Sequence, residues 1–261
     1  MFLTKLAYFA MLAAVTWLPL PVHAATPRPR PHPLPRRELA GVSVLDTPIV
    51  RAAQQFARKH SDDRLYNHVV RAWLFGTLLL DHNETLRAVV DEEVQAVGLL
   101  LHDLGANHSF DSPFVTHDRR FEVDGAYAAR DFVLAHADGG PARWSDYRSQ
   151  RLWDSIALHA EAKFALHKEP DVVAVYWGNN LDFSGPAHGV TEDEYAAVLE
   201  AFPKVNQREQ VLEGIIWYCR HKPETTYDTF MQPYGEMFVP GYSAVGHRAI
   251  DGILGNEPPR T

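Results

Sequence analysis

One cysteine, Cys219, stands in the whole 261-residue sequence. No disulfide can form within the chain, so an oxidising compartment is tolerated but not exploited. Basic residues are in deficit: 25 Lys and Arg stand against 33 Asp and Glu, a formal charge of −8. Holding nucleic acid takes a basic face that neutralises phosphates, so an acidic body argues against nucleic acid as the main partner. Strand-like alternation of convincing length is missing, and so is any internal repeat. What remains is ordinary globular material, 46% hydrophobic and 22% charged, enough for one sizeable core.

The N-terminus, MFLTKLAYFAMLAAVTWLPLPVHA, carries one early cation, Lys5, and an apolar stretch from Leu6 to about Leu20. Val22-His23-Ala24 then puts small residues where a signal peptidase reads them. This predicts a secretory signal peptide over 1–24, cleaved after Ala24, and hence a periplasmic or secreted protein. A membrane anchor is the alternative, but the run is short for a span and Pro19 and Pro21 interrupt it. Cleavage removes one lysine and leaves the mature chain slightly more acidic. ATPRPRPHPLPRRELA (25–40), with five prolines and four arginines, reads as a flexible, polyproline-like leader. A basic arm of this kind can also hold an anionic surface.

From Asp46 onward the pattern is helical. Thr47-Pro48 opens IVRAAQQFARKH as a capped helix with proline in its first turn. RLYNHVVRAWLFGTLLL (64–80) is longer and more apolar. DEEVQAVGLLLHDLG (91–105) begins with acids suited to a helix N-terminus and closes on Gly105 as a C-terminal stop. After a loop at 106–119, helices are predicted over 121–137, 146–160, 171–183, 191–202 and 206–222. DVVAVYW (171–177) is β-branched enough for a buried strand, but its continuation into GNNLDF favours helix. Trp73, Trp153, Trp177 and Trp217 fall at helical spacings and read as core. The aromatic, proline-broken tail 223–250 is expected to pack over the bundle. The fold predicted is a single all-α domain over 41–261.

The stretch LLLHDLGANHSF (99–110) sets His102 beside Asp103 where an apolar helix runs out. A His-Asp pair also occurs at His117-Asp118, so the dipeptide means nothing by itself. Neighbouring helix residues project about 100° apart and reach one ion only near a helix end or between facing helices. His68 lies inside YNHVVRAW, His159 ends WDSIALHA and Asp182 ends YWGNNLDF. Four helices thus each bring an imidazole or carboxylate to an apolar stretch or its end, as metal sites in helical bundles are built.

This pattern resembles the HD-domain superfamily of metal-dependent hydrolases, with its H…HD…D signature. His68, His102, Asp103 and Asp182 fill those places in order, and the resemblance covers about residues 60–185. Within the superfamily the chain is most similar to cyanamide hydratase-like proteins, through RLYNHVVRAWLFG, GLLLHDLGA, RRFEVDGAYAAR, the helix ending at His159 and NNLDFSG. Phosphate-acting members often follow HD with Gly and Lys. Here Ala106 follows Gly105, which lowers the expectation of phosphate chemistry, although Arg64, Arg71, Arg119, Arg120 and Lys163 are at hand as cations.

The resemblance implies one divalent metal per chain on His68, His102, Asp103 and Asp182. Two imidazoles and two carboxylates suit zinc, iron or manganese, with zinc preferred. An open position on such an ion lowers the pKa of a bound water to about 7, and the implied reaction adds the resulting hydroxide to a nitrile carbon. His159 is the candidate proton donor or shuttle; a structural histidine and a further ligand are its other readings. Tyr66 and Asn67 are candidate pocket or supporting groups. Glu122 and Asp124 are either pocket acids or first-turn helix acids. His108 lies in the loop where a lid would be, and a solvated polar loop reads better there than an accessory metal site. Three functions follow: a hydrolase or hydro-lyase on a small, weakly charged substrate, a phosphohydrolase, and a non-catalytic binding module.

Overall fold

The computed structural model describes residues 34–255. The expected signal peptide lies outside them, as does the leader as far as residue 33. No helix of the described residues is long and apolar enough to cross a membrane.

The described chain is mostly helical, with one two-stranded sheet. That sheet was not expected. Strands β1 (Arg36–Leu39) and β2 (Val42–Leu45) pair antiparallel, Arg36 opposite Leu45 and Leu39 opposite Val42. Ala40 and Gly41 turn the hairpin with φ of 51° and 77°, the pair of positive values a tight primed turn demands. Residues 36–40 are therefore not leader. Val42, Val44 and Leu45 are buried, and two arginines assigned to the leader are engaged: Arg36 with Glu92 at 2.6 Å, Arg37 with Asp46 at 3.1 Å.

The helices are α1 (Pro48–His60), α2 (Asp63–Asp81), α3 (Glu84–Val89), α4 (Glu92–Leu101), α5 (Phe121–Ala135), α6 (Asp146–Ala157), α7 (Ala162–Ala165), α8 (Pro170–Ser184), α9 (Glu192–Ala201), α10 (Gln207–His221), α11 (Gln232–Phe238) and α12 (Ala249–Leu254). Their starts follow from capping chemistry. Asp62 accepts from Leu65 N at 2.8 Å to begin α2, Asn83 caps α3, and Asp91 accepts from Val94 N to begin α4. Thr191 and Glu194 form a reciprocal capping box on α9.

Three helices make the centre. Every residue of α4 is buried, as is α2 from His68 to Leu80 and most of α8. They pack against one another, with α1, α5 and α6 around them. Gly76 on α2 and Gly178 on α8 let two backbones meet: a Cβ on Gly178 would lie 3.0 Å from both Ala72 O and Gly76 Cα. That contact fixes how the C-terminal half of α8 lies along α2, and so brings Asp182 to His68.

Candidate metal centre

α4 ends at Leu101, and His102 caps it with helical backbone angles while Asp103 has already turned away (φ −103°, ψ 20°). This break lets adjacent side chains aim at one point. A single 3₁₀ turn, 104–106, follows. Gly105 does not take positive φ as a helix stop would. Its lack of a side chain serves close approach instead: a Cβ there would overlap Phe121 O and lie 2.8 Å from Asp124 Cβ. Gly125 answers from α5, where a Cβ would lie 2.6 Å from His102 O.

The ring nitrogens are sorted by what they touch. His68 Nδ1 donates to Asp182 Oδ2 at 2.6 Å, and His102 Nδ1 donates to Leu99 O at 2.8 Å. A neutral imidazole with its proton at Nδ1 has its lone pair at Nε2. The two Nε2 atoms face each other at 3.2 Å, and Asp103 Oδ2 lies 3.5 Å from each. Burial pushes His102 down to about 3, so this ring is neutral near pH 7. Burial alone would raise Asp103, but His102, His68 and His159 around it hold its carboxyl below the ordinary range. Three lone-pair atoms from His68, His102 and Asp103 thus converge within 4.8 Å of one another, a group that could hold a metal ion.

His159 sits just past the end of α6, buried, with Nδ1 donating to Ile156 O at 2.6 Å. Its Nε2 faces the other oxygen of Asp103, Oδ1, at 3.5 Å. Asp103 therefore looks two ways, Oδ2 to the paired imidazoles and Oδ1 to His159. Phe183 stacks obliquely on His68 and Phe121 lies edge-on to His159, giving the centre apolar walls.

Asp182 is adjacent rather than convergent. It is fully buried and accepts from His68 Nδ1, from Arg71 Nε at 2.7 Å and Nη2 at 2.8 Å, and from Gln207 Nε2 at 2.7 Å. Burial would raise its carboxyl, but the hydrogen bonds and charges of His68 and Arg71 hold it far below the usual carboxylate range. Lys204 donates to Asp182 O and lies 3.5 Å from Oδ1.

The other expected groups lie around this centre. Glu122 and Asp124 are first-turn acids of α5, and both are buried in ion pairs. Arg120 holds Glu122 and reaches Glu161 at 2.8 Å. Lys222 donates to Asp124 at 3.1 Å, beside Thr116 N and Oγ1. Tyr66 accepts from Gln54 on α1, and Asn67 donates to Pro203 O at 3.4 Å. His108, pushed down by burial, rests in a notch left by Gly214 on α10. Sequence reasoning missed Gln207 and Lys204 beside Asp182, and Tyr218, whose hydroxyl donates to Gly105 O at 2.8 Å. Arg71 was seen only as a spare cation. Its signal was legible: a charge inside the apolar run HVVRAWLFG, three residues after His68 and so on the same helix face.

Fold and site together define a mostly helical protein with a candidate His/Asp metal centre. No family model matches the chain, and no curated protein matches it.

Proposed function

We propose that the protein is a metal-dependent hydrolase or hydro-lyase that adds water to a small, weakly charged substrate, similar in chemistry to a cyanamide hydratase, which turns a nitrile into an amide. The observation that carries this reading is the convergence of three lone pairs, from His68, His102 and Asp103, in a largely buried cluster where each imidazole points its N–H at another acceptor. This borderline-to-hard donor set fits one divalent ion, zinc before iron or manganese. Bound there, such an ion supplies Lewis acidity that makes water a nucleophile near neutral pH.

The chain's own groups do the rest. His159 stands on the far side of Asp103, within reach to accept the proton of the attacking water and return it to the nitrogen as the carbon–oxygen bond forms. Phe183 against His68 and Phe121 against His159 place apolar rings beside the centre. Charge favours a nitrile-like substrate over a phosphate ester. Arg71 and Lys204 are committed to Asp182, Arg120 to Glu122 and Glu161, and Lys222 to Asp124. Phosphoryl transfer leans on cations aimed at the substrate, and these four are aimed at carboxylates.

Elemental analysis of wild type and of His102→Ala/Asp103→Ala, with cyanamide hydration and a phosphatase panel on the same samples, tests the proposal. About one metal per wild-type chain, lost in the double variant together with hydration, is expected. Phosphatase activity without hydration would move the reading to a phosphohydrolase, and a folded wild type that cannot be loaded would leave a helical binding module.

A further inference from the structure

We infer that Asp182 is not a metal ligand but a positioning residue for His68, so that the side chains that would hold the ion from α2 and the end of α4 are three, His68, His102 and Asp103. This rests on the metal reading above and sharpens it. A carboxylate has about four lone-pair sites. On Asp182, Oδ2 accepts from His68 Nδ1, Arg71 Nη2 and Gln207 Nε2, while Oδ1 accepts from Arg71 Nε and has the Lys204 ammonium 3.5 Å away. To ligate an ion, Asp182 would have to release a buried arginine or the imidazole it orients. Arg71 is itself 1% exposed and braced against Phe202 O and Pro203 O at 3.1 Å each. Releasing it would leave a buried guanidinium without its carboxylate, which is strongly destabilising.

Asp182 then has a definite task. By accepting from Nδ1 it fixes the His68 tautomer and turns Nε2 toward Asp103 and His102, the carboxylate–histidine–metal relay that raises ligand basicity. Arg71, Gln207 and Lys204 hold that carboxylate in turn, which ties the site to the connection after α9 and to the first residue of α10.

Two measurements decide this. In the anomalous crystal structure of the zinc-loaded wild type, Asp182 should keep its four donors and lie outside ligand distance, roughly 2.0–2.2 Å for a carboxylate oxygen. Chelator competition on Asp182→Asn, with its fold checked by circular dichroism, should show one metal per chain bound about 10- to 100-fold more weakly. Asp103→Asn should bind none. An Asp182 oxygen at ligand distance in the wild type overturns the inference, and so does a folded Asp182→Asn that binds no metal. If Asp182→Asn does not fold, the wild-type crystal structure alone decides. A wild type that takes up no zinc overturns the metal reading itself, a result distinct from zinc bound with Asp182 in its ligand shell.

Discussion

At the scale of single residues the centre depends on two glycines as much as on its histidines. Gly105 and Gly125 let the turn after Asp103 press against the first turns of α5, each standing where the other's backbone passes. An alanine at 105 meets a carbonyl oxygen and the Asp124 side chain, neither of which can retreat, because Asp124 is held by Thr116 and Lys222. Overpacking of this kind costs about 1–3 kcal/mol, and Gly105→Ala should sit at the upper end. The urea midpoint measures that loss, and metal affinity should fall with it, because the displaced turn carries Asp103. His68, His102, Asp103 and His159 are readable from sequence because polar groups at the ends of apolar helices have few other uses. Gly105, expected to stop the helix, lies four residues past its end at Leu101 and serves close approach instead; close approach is a property of two segments, and one sequence shows only one at a time. The same holds for Asp182, whose partners on Arg71 and Gln207 lie 111 and 25 residues away.

At the scale of elements, long helices announce themselves and short pieces do not. α1, α2, α8, α9 and α10 begin and end within a few residues of where caps and periodicity place them. α3, α7, α11, α12 and the hairpin went unseen, since four to seven residues hold too few repeats to separate a period of 2 from one of 3.6. Helix α4 is anchored by charge. Its cap, Asp91, takes Arg148 Nε and Nη2 at 2.9 Å each, Arg148 also reaches Glu93 at 2.7 Å, and Arg151 pairs with Asp171 on α8. Burial would raise the Asp91 carboxyl, but the hydrogen bond and charge of Arg148, with Arg151, hold it below its ordinary 3.8. A carboxyl lowered in the folded state stabilises the protein at every pH above the unfolded value. That stability is lost as pH falls from about 3.8 through the lower folded value. Asp91→Ala removes the cap of α4 and one carboxylate partner each of half-buried Arg148 and buried Arg151, which keep Glu93 and Asp171, and should cost about 1–3 kcal/mol at pH 7. Acid titration of thermal unfolding should then show a shallower fall below pH 4 in the variant than in the wild type.

At the scale of the whole molecule, the metal reading and the fold make one claim about stability. The three proposed ligands come from α2 and the end of α4, while Asp182 on α8 and His159 past α6 flank them. An ion there would join segments that are far apart in sequence and meet only in the folded chain. Which helices face one another was the least legible feature, since packing partners follow from contacts such as Gly76 against Gly178 that no local pattern states. A ligand that binds only the folded state stabilises by about 2.7 kcal/mol at 100 times its dissociation constant. For a domain of this size each kcal/mol is worth roughly 2–4 °C, so zinc at that excess should raise the melting temperature by about 5–10 °C. The rise should grow with the logarithm of free zinc, vanish on adding a chelator and be absent in Asp103→Ala. Zinc bound adventitiously at surface histidines would leave the same shift in that variant, because none of those histidines touches Asp103. A shift confined to chains with His68, His102 and Asp103 intact ties the ion to the place where the central helices meet.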